Sequence, residues 1–151
     1  MLRRSVENLT LIGFMILLLL LLISAVALYI NHYGFNLHTL YQAYAGNSEQ
    51  FIEPKSFTGI LKSFTPHMIV MPLIFFTLFH LVLASKSLNR RWIKVVAIMG
   101  FGSCFTDIFI NFVIFYSPII AFIKMMAFMF FELSLLFLMA VLFKNIYFAK
   151  A

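Results

Sequence analysis

Four stretches of the sequence are long and apolar enough to cross a membrane as helices. They cover residues 9–30, 66–85, 92–116 and 118–143, and a helix needs about 20 mainly apolar residues to span the hydrocarbon core. The runs are continuous and lack the alternation of apolar and polar residues that a membrane β-barrel requires. We therefore predict an all-α integral membrane protein, a single domain over residues 1–151 built as a four-transmembrane-helix bundle.

The composition and charge distribution exclude a water-soluble domain. Charged residues make up only 11% of the chain, whereas soluble domains carry about 25%. The net charge of +6 does not form a nucleic-acid-binding patch, because most basic residues flank the spans on one side of the membrane. We therefore expect the lipid bilayer as the partner and no nucleic acid. The pattern predicts a bacterial cytoplasmic (inner) membrane with both termini cytoplasmic, from Arg3, Arg4, Lys86, Arg90, Arg91, Lys94, Lys144 and Lys150.

The first span has some features of a secretory signal peptide. Arg3 and Arg4 precede a leucine-rich core, and Ala25-Val26-Ala27 resembles a cleavage site. The apolar run nevertheless continues to Ile30, which exceeds the usual signal core of about 7–15 residues. The length favours an anchor that is retained, and cleavage is the alternative.

The extracytoplasmic segment, residues 31–65, is predicted to form a short amphipathic cap between the first two spans. Apolar residues recur with helical spacing from Leu37 to Tyr44, and Gly46 is placed to end that helix. A second helix is expected over residues 57–64, with Ser56 as its N-cap. Thr65 and Pro66 then have the residue types that begin a new helix, the second span.

Four ionisable residues fall within the spans, where such groups are functional candidates. They are His80, Asp107, Lys124 and Glu132. Counting the helical rise from the ends of the spans predicts two buried pairs, His80 with Glu132 and Asp107 with Lys124. Asn111 shares a stripe of small and polar residues with Asp107 and is expected to bond across a helix interface. The excess negative charge implies that Glu132 is either protonated or shared with a charged His80.

The four histidines raise the question of haem b. His67 and His80 resemble the axial histidine pair of diheme cytochrome b proteins, but thirteen residues place the two rings about 140° apart on a helix. His67 with His32 or His38, near the outer surface, is the alternative ligand set. No spacing typical of a metal-binding cluster accompanies these residues, so no metal site is predicted.

The sequence contains no catalytic motif, and we predict no catalytic residues and a non-enzymatic protein. Three functions remain open. The first is a subunit or assembly partner of a larger membrane complex, binding another membrane protein or forming a homo-oligomer. The second is a b-haem protein for electron transfer or sensing. The third is a small proton-coupled transporter or channel component that uses the ionisable residues within the spans.

Overall fold

The computed structural model describes residues 2–85 and 88–148 and contains five α-helices within these ranges. Two basic residues of the predicted charge asymmetry, Lys86 and Lys150, lie outside the described residues, as do the side chains of Arg3 and Arg4. The helices are α1 (Leu2–Tyr33), α2 (Leu37–Ala45), α3 (Phe57–Ala84), α4 (Arg90–Phe109) and α5 (Pro118–Phe148).

Four of these helices are long and apolar enough to span a membrane, which confirms the predicted fold class for the described part of the chain. The candidate spans are Leu9–Tyr33, Phe57–Ala84, Arg90–Phe112 and Pro118–Asn145. The cap consists of α2 and residues 46–56, and it joins the end of α1 to the start of α3. We call this side of the bundle the cap end.

The second span begins earlier than predicted. Residues 57–64 and the span form one helix, α3, so the predicted break at Thr65 and Pro66 is wrong. Ser56 caps this single helix by accepting a hydrogen bond from the Gly59 amide at 3.2 Å. A proline removes one backbone hydrogen bond from a helix interior, but the apolar sequence around Pro66 favours continued burial in the bilayer. The Thr65 hydroxyl meanwhile donates to the Leu61 carbonyl at 2.9 Å.

The third span loses its regular α-helical geometry near the cap end. A single helix is predicted over residues 92–116, whereas α4 ends at Phe109 and two short 3-10 turns follow, Ile110–Phe112 and Ile114–Tyr116. Ser117 alone then separates them from α5. In the most apolar 18-residue stretch of α5, 50% of the residues are buried, whereas the corresponding share is 17% in α1 and in α3. The helix α5 is therefore the centre of the bundle.

Helices α3 and α4 approach each other closely at Gly100. The Phe75 ring is fully buried and occupies the space that a side chain at Gly100 would need. Small residues allow this kind of approach between helices in membranes, where packing rather than the hydrophobic effect drives association. The same core contains Leu78 and Val82 of α3, Cys104 and Ile108 of α4, and Phe131, Leu135 and Leu138 of α5.

Candidate functional site

A buried ion pair joins α4 to α5. Lys124 Nζ lies 2.9 Å from Asp107 Oδ1 and also donates to the Asp107 backbone carbonyl at 3.3 Å. Both side chains are more than nine-tenths buried. The structure thus brings together two of the ionisable residues that the sequence singled out, on neighbouring antiparallel helices.

Asn111 extends this pair into a network that reaches the cap. Its Nδ2 atom donates to the carbonyls of Asp107 at 3.0 Å and Ile108 at 2.8 Å, and its Oδ1 atom accepts from the Tyr44 hydroxyl at 2.7 Å. Tyr44 belongs to α2, so the bond crosses from the cap to the 3-10 turn Ile110–Phe112 that follows α4. The ammonium group of Lys55 lies 4.6 Å from the centre of the Tyr44 ring. We call Asp107, Lys124, Asn111 and Tyr44 the cap-end network.

Glu132 is buried without a comparable partner. Its side chain is on α5, and the residue is only 7% exposed, yet Oε2 has no hydrogen-bond partner among the described residues. Tyr29 of α1 is 8% exposed, and its hydroxyl likewise has no hydrogen-bond partner among the described residues. Buried polar atoms are almost always hydrogen-bonded, and an exception needs an explanation.

His80 does not meet Glu132, so the predicted pair is not formed. His80 is exposed on the bundle surface and its ring stacks on Phe76 at a centroid distance of 6.1 Å. The core face of α3 carries Leu78, and two residues correspond to about 200° around a helix. The depth of His80 in the membrane would allow a pair with Glu132, but His80 lies on the side of α3 that faces away from the core.

A cavity of about 530 Å³ lies between α1, α3, α4 and α5. The unpartnered Glu132 and Tyr29 line it together with members of the cap-end network. Most of its wall is apolar, and along α5 it runs from Lys124 to Leu135, about 16 Å at the helical rise. No Cα atom of α1 comes within 8 Å of one in α3 among the described residues. The cavity therefore lies where the backbones of these two helices are more than 8 Å apart among the described residues, and we call this separation the gap.

The histidines divide into two groups. His32 of α1 and His67 of α3 both line the cavity, on helices that face each other across the gap. His38 lies outside it and is 2.8 Å from Gln42 Nε2, and His80 lies on the outer face of α3. Within the described residues no three side chains of His, Cys, Asp or Glu form a group that could hold a metal ion.

Three tyrosines that were not predicted as site residues contribute to the cavity. Tyr29 stacks on Phe128 at 4.5 Å and meets Tyr33 edge to face at 5.3 Å. Tyr33 in turn stacks on Tyr44 at 6.5 Å. A buried tyrosine hydroxyl normally needs a hydrogen-bond partner. The position of Tyr29 within a long apolar span was the signal that could have identified it.

The fold and the site define an α-helical integral membrane protein that encloses ionisable side chains behind its spanning helices. The family model Aq_1264_TM, described as a transmembrane helical domain, matches residues 34–151, and the chain belongs to that family. The match starts directly after α1. No curated protein and no solved structure matches the chain.

Proposed function

We propose that the protein is a non-enzymatic membrane protein that takes up a small, mostly apolar molecule from the bilayer into its cavity. The observation that carries the proposal is a cavity of about 530 Å³ that contains the unpartnered buried groups of Glu132 and Tyr29. Pockets for small molecules typically have about this volume, with apolar walls and a few polar groups. The gap between α1 and α3 provides access from the lipid.

The cap-end network has a structural role in this proposal. Its four side chains bond to one another or to nearby carbonyls, and they connect α2, α4 and α5. Polar contacts of this kind fix which helices associate in a membrane. The protein would thereby present a stable bundle to a larger membrane complex as a subunit or assembly partner, in contact with another membrane protein or a second copy.

The proposed location is a bacterial cytoplasmic membrane with both termini cytoplasmic and the cap outside. Arg90, Arg91, Lys94 and Lys144 support it, because they lie at the end of the bundle opposite the cap, and cytoplasmic ends carry the excess of basic residues. A membrane-impermeant maleimide applied to intact cells should label a Ser48→Cys variant. Labelling only after the cells are opened would reverse the orientation.

Photolabelling tests the cavity. A small lipophilic phenyl diazirine in liposomes should label Glu132, which the bundle shields from surrounding lipid. An Ala25→Phe variant should lose this label, because Ala25 lines the cavity. The matched variant Ala27→Phe changes an exposed residue of the same helix that is not part of the lining, and it should keep the label.

Two results would contradict the proposal. One is the absence of label at Glu132 in the wild-type protein. The other is equal labelling of Glu132 in the two phenylalanine variants. Thermal unfolding of both variants in detergent shows whether each is folded, so that loss of labelling is not mistaken for loss of structure.

Haem b binding is a second candidate, favoured by the placement of His32 and His67 in one cavity on opposite helices. Two imidazoles are a common axial set for b-type haem, and His32 and His67 are the residues that would hold it. A bound haem would supply one-electron transfer, while the histidines would fix its orientation between α1 and α3. A reduced-minus-oxidised spectrum of purified protein with haem added should show an α-band that is lost in a His67→Ala variant. The absence of this band would exclude the candidate.

A transport function is the third alternative, and three of its four predicted residues line the cavity. These are Asp107, Lys124 and Glu132, while His80 is on the outer face. Two of the three already form an ion pair, so Glu132 is the residue on which proton coupling would depend. Unchanged folding with lost solute flux in Glu132→Gln would support transport, and unchanged flux would oppose it.

A further inference from the structure

The charges that line the cavity do not balance. Asp107 and Lys124 neutralise each other at 2.9 Å. Among the described residues that line the cavity, this leaves Glu132 as the one carboxylate without a basic partner. Transfer of an ionised carboxylate from water to an apolar interior is strongly unfavourable even after the surroundings relax. A bound cation would offset this cost, because it would supply the missing opposite charge.

The surroundings of Glu132 are apolar and aromatic. Phe128 and Leu135 lie about one turn away from it on α5, on either side, and both line the cavity. Leu22 of α1 and Ile74 of α3 add further apolar side chains to the cavity lining. A ligand group that reaches Glu132 must therefore be stable in contact with hydrocarbon.

A stacked pair of aromatic rings includes Phe128, which lies about one helical turn from Glu132 on α5. Tyr29 and Phe128 stack at 4.5 Å with an interplanar angle of 8°, and both belong to the cavity lining, as does Phe131. Aromatic rings attract cations through their quadrupoles, and aromatic surfaces with or without a carboxylate are used to bind quaternary ammonium groups. The lining thus combines one negative charge with cation-binding rings.

Other ligand classes fit the lining less well. A divalent metal ion needs several oxygen or nitrogen ligands, and no group of three suitable side chains occurs within residues 2–85 and 88–148. An anion would meet the carboxylate of Glu132 and would compete with Asp107 for Lys124. The ligand class that remains is a molecule with a single positive charge on an apolar body.

We infer that the Glu132 part of the cavity binds a monovalent lipophilic organic cation, with the carboxylate as its counter-ion and the rings of Tyr29 and Phe128 against its body. This inference rests on the proposed function, since it assigns a ligand class to the same cavity. It goes further by requiring a charged ligand and by assigning separate roles to the two carboxylates: Asp107 holds the fold, and Glu132 binds the ligand.

Equilibrium binding of tetraphenylphosphonium to the full-length purified protein tests the inference. The wild-type protein should bind this cation, and Glu132→Gln should weaken binding at least about tenfold, as expected for the loss of a charge-assisted contact. Glu49→Gln makes the same substitution at an exposed position of the cap and should bind like the wild-type protein. Tetraphenylsilane, a neutral molecule of the same shape, should not compete.

The outcomes separate this inference from the proposed function. If the diazirine labels Glu132 but tetraphenylphosphonium does not bind, or if Glu132→Gln binds it normally, the cavity exists and the charged ligand is wrong. Competition by tetraphenylsilane equal to that of the unlabelled cation would point to a neutral ligand and would also overturn the inference. If the diazirine does not label Glu132, the cavity is not accessible to small molecules, and the proposed function is wrong as well.

Discussion

The two sides of the bundle differ in how completely their polar groups are bonded. Where α3, α4 and α5 pack together, which we call the closed side, Gly100 admits the Phe75 ring. The Asp107–Lys124 pair that joins α4 to α5 there is fully bonded, although it also borders the cavity. On the open side, between α1 and α3, Glu132 and Tyr29 are buried without hydrogen-bond partners among the described residues. A buried polar group with all its hydrogen bonds formed fixes how helices pack, whereas one without partners lowers the stability of the fold when no ligand is bound. The contrast separates residues that maintain the bundle from residues available to a ligand.

The family match follows the same division. It covers residues 34–151 and therefore contains the entire closed side, together with the cap. The wall that α1 contributes to the cavity, including Tyr29 and His32, precedes the matched region. The cavity is thus formed by the family domain and one additional helix.

The largest expected effect comes from breaking the buried ion pair. Lys124→Met leaves the Asp107 carboxylate buried without its partner, and we expect a loss of about 3–5 kcal/mol in unfolding free energy. Unfolding of the protein by sodium dodecyl sulfate in mixed micelles measures it. The double variant Asp107→Lys with Lys124→Asp should recover part of the loss. A Lys124→Met protein as stable as the wild type would show that the pair does not hold the closed side together.

A smaller loss is expected at the contact of α3 with α4. A methyl group at Gly100 would overlap the buried Phe75 ring, and overpacking of this kind costs about 1–3 kcal/mol. Gly102→Ala is the matched control, because nothing lies within 4 Å of the position its methyl group would take. Thermal unfolding in detergent should show a lower transition temperature for Gly100→Ala only. Equal transition temperatures would contradict the close approach.

Alkaline pH should weaken the attachment of the cap. Burial, followed by the neighbouring Tyr33, raises the pKa of the Tyr44 hydroxyl well above its usual value of 10.0. The folded protein therefore keeps this proton where the unfolded chain loses it, and stability falls as the pH rises above about 10, by up to about 1.4 kcal/mol per pH unit. Denaturant titrations at about pH 9 and about pH 11 measure the decline.

A Tyr44→Phe variant isolates this effect. It should lose about 1 kcal/mol at neutral pH, through the missing bond to Asn111, and should show a smaller alkaline decline. Lys55 acts in the opposite direction, since burial and the charge of Lys124 lower its pKa, so that stability rises with pH below its usual value of 10.5. The same decline in both proteins would rule out Tyr44 as its source.

The smallest loss of stability is expected on the open side. Glu132→Gln preserves the shape of the side chain and removes an unpaired buried charge, and Oε2 has no hydrogen-bond partner to lose among the described residues, so the unfolding free energy should not decrease by more than about 1 kcal/mol. The same micelle titration used for Lys124→Met allows a direct comparison. A destabilisation as large as that of Lys124→Met would mean that Glu132 also maintains the bundle, and the contrast between the two sides would fail.

The part of the fold that could be predicted depends on properties of one helix at a time, such as the length and apolar composition of its segment. The four apolar runs predict four spans, because length and composition suffice for that inference. The local signature of Thr65 and Pro66 was misleading, since a capping residue and a proline also occur inside a membrane helix whose apolar run continues. The irregular turns after Phe109 had no clear signal in the sequence, because residues 110–116 remain almost entirely apolar.

The site required information on which faces of the helices meet. Depth alone put His80 level with Glu132, yet the core face of α3 is set by Phe75 and Leu78. The hydroxyl of Tyr29 stands out in the leucine-rich α1, but apolar residues on all sides of this helix do not indicate which face meets the cavity. The separation between α1 and α3 is a property of the assembled bundle, and the sequence of neither helix indicates it.

The seventeen-residue separation between Asp107 and Lys124 has a consequence for the order of assembly. Contacts between residues close in the sequence form with little loss of chain entropy, and this pair joins two helices that are connected by the 3-10 turns of residues 110–117. The hairpin of α4 and α5 should therefore be the nucleus of folding after insertion, with α3 and the cap docking on it. Helix α1 enters the bilayer first but would dock to this nucleus last, and the cavity would be complete only when the whole chain has been synthesised.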